Sequence, residues 1–126
     1  MLPVKNQKDY PYTEKTVRGV TQKEIDMIKH IVMWRLKDEA AGATKEVNAL
    51  KLKESLESLV GVIPTLKAAE VGINFNPSDA AFDVVLYSEF DDREGLSAYQ
   101  THPEHMKIVD FVGEIRTDRA VVDYED

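Results

Sequence analysis

The stretch Met27–Leu36, MIKHIVMWRL, decides the fold. Ile28, His30, Val32, Trp34 and Leu36 alternate onto one face with the period of two that marks a β-strand. Ile31 and Met33 make the opposite face partly apolar as well. A strand that is apolar on both sides needs cover on both faces of its sheet. Helices can supply one cover, and something else must supply the other.

Working outward, Lys37–Ala43 reads as a charged, glycine-containing loop, and Thr44 is placed to cap the helix that follows. Leu52, Leu56, Leu59, Val60 and Ile63 fall at i, i+4, i+7, i+8 and i+11, an amphipathic stripe opposite a solvated lysine and glutamate face. Gly61 is positioned to end this helix, and Pro64 prevents its resumption. Leu66–Phe75 and Ala81–Phe90 read as strands joined by the turn Asn76-Pro77-Ser78-Asp79, hence an antiparallel hairpin. That turn lacks the alternating ligands and terminal glutamate of a calcium loop. Asp91 and Glu94 have the spacing of a capping box, and Leu96 and Tyr99 face the core of the helix they open. Pro103 breaks that helix and starts another, which Gly113 is placed to close. Asp118–Tyr124 alternates as a last short strand, with Ala120, Val122 and Tyr124 on one face.

The order is β-α-β-β-α-β, with the second helix broken at His102–Pro103. This is an α+β, ferredoxin-like pattern: a four-stranded antiparallel sheet with helices on one face. In a chain of 126 residues the cover for the other face is a second copy of the same sheet. A homodimer joined through its sheet faces, a dimeric α/β-barrel, is therefore expected. The domain is assigned to residues 27–126. Residues 1–26, polar and carrying Pro3 and Pro11 without a sustained period, are expected to form an extension, partly disordered or draped over the surface.

Composition narrows the function. A net charge of −7 without a basic stripe argues against nucleic acid and against an anionic membrane surface. No run approaches the roughly 20 apolar residues of a membrane span, and the N-terminus lacks the apolar core of a signal peptide. The chain has no cysteine, which excludes disulfides, thiolate catalysis and cysteine-ligated zinc. A cytoplasmic location fits.

The chemistry concentrates at Tyr99-Gln100-Thr101-His102-Pro103-Glu104-His105, which holds two of the three histidines. From Pro103, the residues His105, Ile108, Val109 and Val112 follow the spacing of one buried helical face, with Tyr99 just across the break. A histidine on such a face is more often a hydrogen-bonded core residue than a catalyst, and the pattern alone leaves both readings open. His30 lies on the more apolar face of the first strand, as does Trp34. A metal site of His30, His102 and His105 is disfavoured, because the His102/His105 pair straddles the proline break and no carboxylate is spaced to complete it.

These residues make Met27–Asp126 resemble the stress-responsive A/B barrel domain family, also called Dabb, whose members are dimeric α/β-barrels. The matching features are IKHIV in the first strand, Ile63-Pro64 after the first helix, YxxHPxH at 99–105 and VVDY at 121–124. In plant members that cyclise polyketides, the tyrosine and second histidine of YxxHPxH perform acid/base chemistry. By that resemblance Tyr99 and His105 would be catalytic. His30 would line the same pocket, where we place Trp34 with it as a binding residue, and His102 would be a helix-junction residue. Such chemistry removes a proton α to a carbonyl and stabilises the enolate oxygen, which needs neither metal nor organic cofactor. The implied ligand is a small apolar or carbonyl compound. Leu52, Leu56 and Leu59 stand where cyclase-type members carry further polar groups, so the substrate need not be a polyketide. The alternative is a non-catalytic, stress-associated ligand-binding or structural homodimer.

Overall fold

The computed structural model describes residues 14–17, 20–23 and 27–126. Within the expected extension, β1 (Glu14–Val17) and β2 (Val20–Lys23) pair antiparallel, Val17 opposite Val20. The rest of that expectation lies outside the described residues.

The domain follows the expected order. β3 (Ile28–Leu36) leads into a two-residue hairpin of β4 (Glu39–Ala40) and β5 (Ala43–Thr44), then α1 (Lys45–Glu57), β6 (Leu66–Ile73), β7 (Val84–Phe90), α2 (Arg93–Gln100), α3 (Pro103–Ile115) and β8 (Arg116–Glu125). The large sheet is ordered β6-β7-β3-β8, and every neighbouring pair is antiparallel. The β4–β5 hairpin replaces the open loop expected there; its turn residues Ala41 and Gly42 both have positive φ, 50° and 75°.

Alternation along β3 sends Ile28, Val32, Trp34 and Leu36 into the core with Leu52 and Leu56 of α1, Val84, Leu86 and Phe90 of β7, and Tyr99. Thr44 caps α1, accepting from the Val47 amide at 3.3 Å. The helix stops earlier than expected, at Glu57 with Ser58 as cap, and Gly61 (φ 90°) instead turns the chain beyond it. Leu59 and Ile63 are buried from that turn, and Val60 is exposed. Glu57 accepts from the Val71 amide at 2.9 Å while Lys53 donates to the Val71 carbonyl at 2.8 Å. α1 thereby satisfies backbone groups of the edge strand β6, which blunts that edge.

Three other boundaries differ from expectation. The hairpin strands end at Ile73 and begin at Val84, because the Asn74–Asn76 and Asn76–Ser78 side-chain bonds start the turn early and the Asp83 carboxylate accepts from the Leu36 amide at 2.7 Å. Asp92, not Asp91, caps α2, accepting from Gly95 at 2.7 Å. Gly113 lies inside α3, which runs to Ile115 and passes directly into β8. No helix among the described residues is long and apolar enough to cross a membrane.

Candidate functional site

The site lies between the helix-facing side of β3 and β8 and the inward side of α3. Antiparallel register sets its parts: His30 stands opposite Asp123, Val32 opposite Val121, and Trp34 opposite Arg119. The α2–α3 break delivers the rest. His102 follows Thr101, the C-cap of α2, and caps α3, its Nδ1 accepting from the Glu104 amide at 3.1 Å, with Pro103 in the first turn. His102 is thus a junction residue, and its cap fixes how α3 presents His105.

A cavity of about 300 Å³ results, walled by His30, Val32, Trp34, His105, Ile108 and Val112, with Gln100, Arg116 and Arg119 also contributing. Val109 borders it too and is 41% exposed, because this face of α3 covers the opening instead of packing into solid core. Of the four residues expected from sequence, the cavity brings together His30, Trp34 and His105. Tyr99 sits behind them: it is 1% exposed, its ring centroid is 4.3 Å from that of His105 and 6.3 Å from that of His30, and it does not line the cavity.

The hydrogen bonds define which ring nitrogens face a ligand. His105 Nδ1 lies 3.2 Å from the Gln100 carbonyl. A carbonyl only accepts, so Nδ1 carries the proton and Nε2 of the neutral ring keeps its lone pair. Desolvation pulls the His105 pKa below the ordinary histidine value; the Gln100 bond opposes it, and the charges of His30, Arg119 and His102 add to it. His30 is buried, and its Nδ1 is hydrogen-bonded to the Asp123 carboxylate, leaving Nε2 as its other polar atom. Burial holds the Tyr99 phenol well above its ordinary pKa, so it stays protonated. The Trp34 indole N–H is buried without a hydrogen-bond partner.

Asp123, Arg116 and Arg119 were not singled out from the sequence. Alternation places Asp123 on the face opposite Val122 and Tyr124. Only the β3–β8 register, though, shows that this face meets His30.

An antiparallel ferredoxin-like sheet with one helix-covered, histidine-lined cavity defines the class of protein. The chain belongs to the stress responsive A/B barrel domain family, whose model matches residues 28–126. A stress-response A/B barrel domain-containing protein of Arabidopsis thaliana is 28% identical over 99 residues, 79% of this chain and 36% of its own length. The chain spans less than half the length of the curated relatives it matches. Among solved structures, a dimeric ferredoxin-like protein of unknown function from Bacteroides fragilis is 38% identical, with a TM-score of 0.70 over 79% of this chain and 96% of that one. A hydroxynitrile lyase from Passiflora edulis shares the fold at 17% identity and a TM-score of 0.67, over 82% of this chain and 95% of that one.

Proposed function

We propose that the cavity binds a small apolar molecule bearing a carbonyl group, and that His105 serves there as the base of a cofactor-independent cyclase- or lyase-type reaction. The observation that carries this reading is the tautomer of His105. With Nδ1–H committed to the Gln100 carbonyl and the ring held neutral by desolvation, Nε2 is a ready acceptor for a proton α to a carbonyl. His30, its Nδ1 held by Asp123, is the complementary group: in its imidazolium form it would donate Nε2–H to the developing enolate oxygen. The resemblance to cyclases gives the acid's part to Tyr99. Packed behind His105 and outside the cavity wall, Tyr99 is better suited to positioning the His105 ring. The protein acts as a homodimer through the sheet face opposite the helices; the Bacteroides fragilis relative is described as dimeric.

A non-catalytic ligand-binding dimer is the second reading. It is favoured by the aliphatic character of much of the wall, Val32, Leu56, Leu86, Ile108 and Val112. The two separate by hydrogen–deuterium exchange at the α carbon of β-keto acids and aryl ketones in D2O. Exchange accelerated by wild type, abolished by His105→Gln and kept by His102→Asn is expected of the enzyme. Binding in a thermal-shift screen without any exchange leaves the second reading in place.

A further inference from the structure

We infer that the ligand of this cavity is a carboxylate: an apolar body whose anionic end is held by Arg116 and Arg119. The inference rests on the reading of the cavity as a binding site and adds the charge of its occupant.

The starting point is a bulge. Along β8 the pairing runs Trp34 to Arg119 and Arg35 to Asp118, then skips Thr117, so that Leu36 is opposite Arg116. In a regular strand, residues three apart point to opposite faces. The extra residue reverses that parity and re-aims the side chain beyond it. Arg116 therefore joins Arg119 on the helix-facing side, and both line the cavity. Two guanidinium groups are brought to one wall by an irregularity in the ladder.

Arg35 pairs with Asp118 and Arg93 with Glu125, whereas among the described residues no carboxylate lies within ion-pair distance of Arg116 or Arg119. In a chain of net charge −7 the general field repels anions, so attraction for one must be local. Trp34, the cross-strand partner of Arg119, lines the same end of the wall. Donors without acceptors at one end of an apolar cavity call for an acceptor-rich group, and a carboxylate matches the planar fork of arginine.

Position then orients the ligand. Trp34/Arg119 and His30/Asp123 are cross-strand pairs four residues apart on the same strands, about 13 Å along the sheet at the usual rise. The carboxylate sits at the arginine end, and the apolar body runs past Val32 and Val121 toward His30 and His105. The ligand is a compact monocarboxylate with its reactive or distal part several bonds from the charge.

The test uses matched pairs, phenylacetate and hydrocinnamate with their primary amides, titrated into the full chain while the histidine ring resonances are followed by NMR. The carboxylates should bind and shift His105, with the amides weaker by about tenfold, the value of one charge-assisted hydrogen bond. Arg116→Gln and Arg119→Gln should each cut carboxylate affinity by a similar factor and leave the amides unchanged. Arg93→Gln, which removes a paired surface charge, should change neither. Amides that bind as tightly as the acids and still shift His105 would overturn the carboxylate assignment and spare the cavity. The same holds if both arginine variants bind the acids normally. Failure of every probe to shift His105 would overturn both readings together.

Discussion

His105 is surrounded by influences that disfavour its charge, desolvation first and the positive groups of His30, Arg119 and His102 after it, with only the Gln100 carbonyl opposing them. The folded chain therefore binds this proton less readily than the unfolded chain. The corresponding stability is complete above the ordinary histidine value of 6.5 and is lost as pH falls from there through the lower folded value. An NMR titration should give His105 a midpoint below 6.5, and His105→Gln should flatten the stability profile in that acidic window. A midpoint above 6.5 would remove the neutral base on which the proposed chemistry depends. Asp123 is the other decisive residue. It is partly exposed and belongs to an edge strand, so Asp123→Asn should fold normally. The amide cannot supply the charge that steadies His30. Of the roughly 10²–10⁴-fold that a positioned acid or base contributes, the variant should forfeit about tenfold or more in α-proton exchange. Unchanged exchange in Asp123→Asn would exclude His30 as the donor.

The break between α2 and α3 is the element that makes the site. Pro103 forces a new helix start, and the His102 ring fills the cap that a serine or aspartate usually fills. His102→Ala should cost about 1 kcal/mol, the usual value of a lost N-cap. For a domain of this size that lowers the melting temperature by about 4–8 °C. Asn, itself a good cap, should restore the stability, and calorimetry on the two variants decides it. Equal loss in both would mean that the imidazole does something beyond capping. This break was legible because proline has one reading at a helix start, and the hydrophobic periods of 28–36, 52–63 and 84–90 carried the strand and helix order in the same way. Other features were not, for physical reasons. The end of α1 is hidden because Leu59 and Ile63 stay buried in the turn beyond Glu57, so the apolar stripe outlasts the helix. The choice of Asp92 over Asp91 as cap is a matter of backbone geometry between identical side chains. Asp123, Arg116 and Arg119 depend on which strands pair, in what register and with a bulge at Thr117. None of that is encoded in the local period of β8.

At the scale of the whole molecule, the sheet has two unlike faces. One is filled by three helices. The other carries Ile31, Met33, Val85, Val122 and Tyr124, of which Met33, Val122 and Tyr124 are 37%, 53% and 45% exposed. It also carries a polar cluster in which Lys29 donates to the Tyr87 hydroxyl at 3.1 Å and lies 3.5 Å from both Glu89 and Asp126. The Tyr87 hydroxyl bond, foremost, holds the Lys29 ammonium protonated well above its ordinary range, so the cluster is a fixed polar mark at one end of an apolar field. An apolar face flanked by the oriented Lys29 cluster at one end and the Arg35–Asp118 pair at the other suits a two-fold partner that must dock in a single register. Met33→Glu puts a carboxylate into the middle of that face without touching the helix-covered core. The wild type should run as a dimer in light scattering at micromolar concentration, and the variant as a monomer with unchanged circular dichroism. The cavity is walled by residues of one chain on the opposite side of the sheet. Ligand binding should therefore survive in the monomeric variant. If binding disappears as the dimer dissociates, the partner subunit must shape the site through the sheet, and the cavity of a single protomer is not the functional unit.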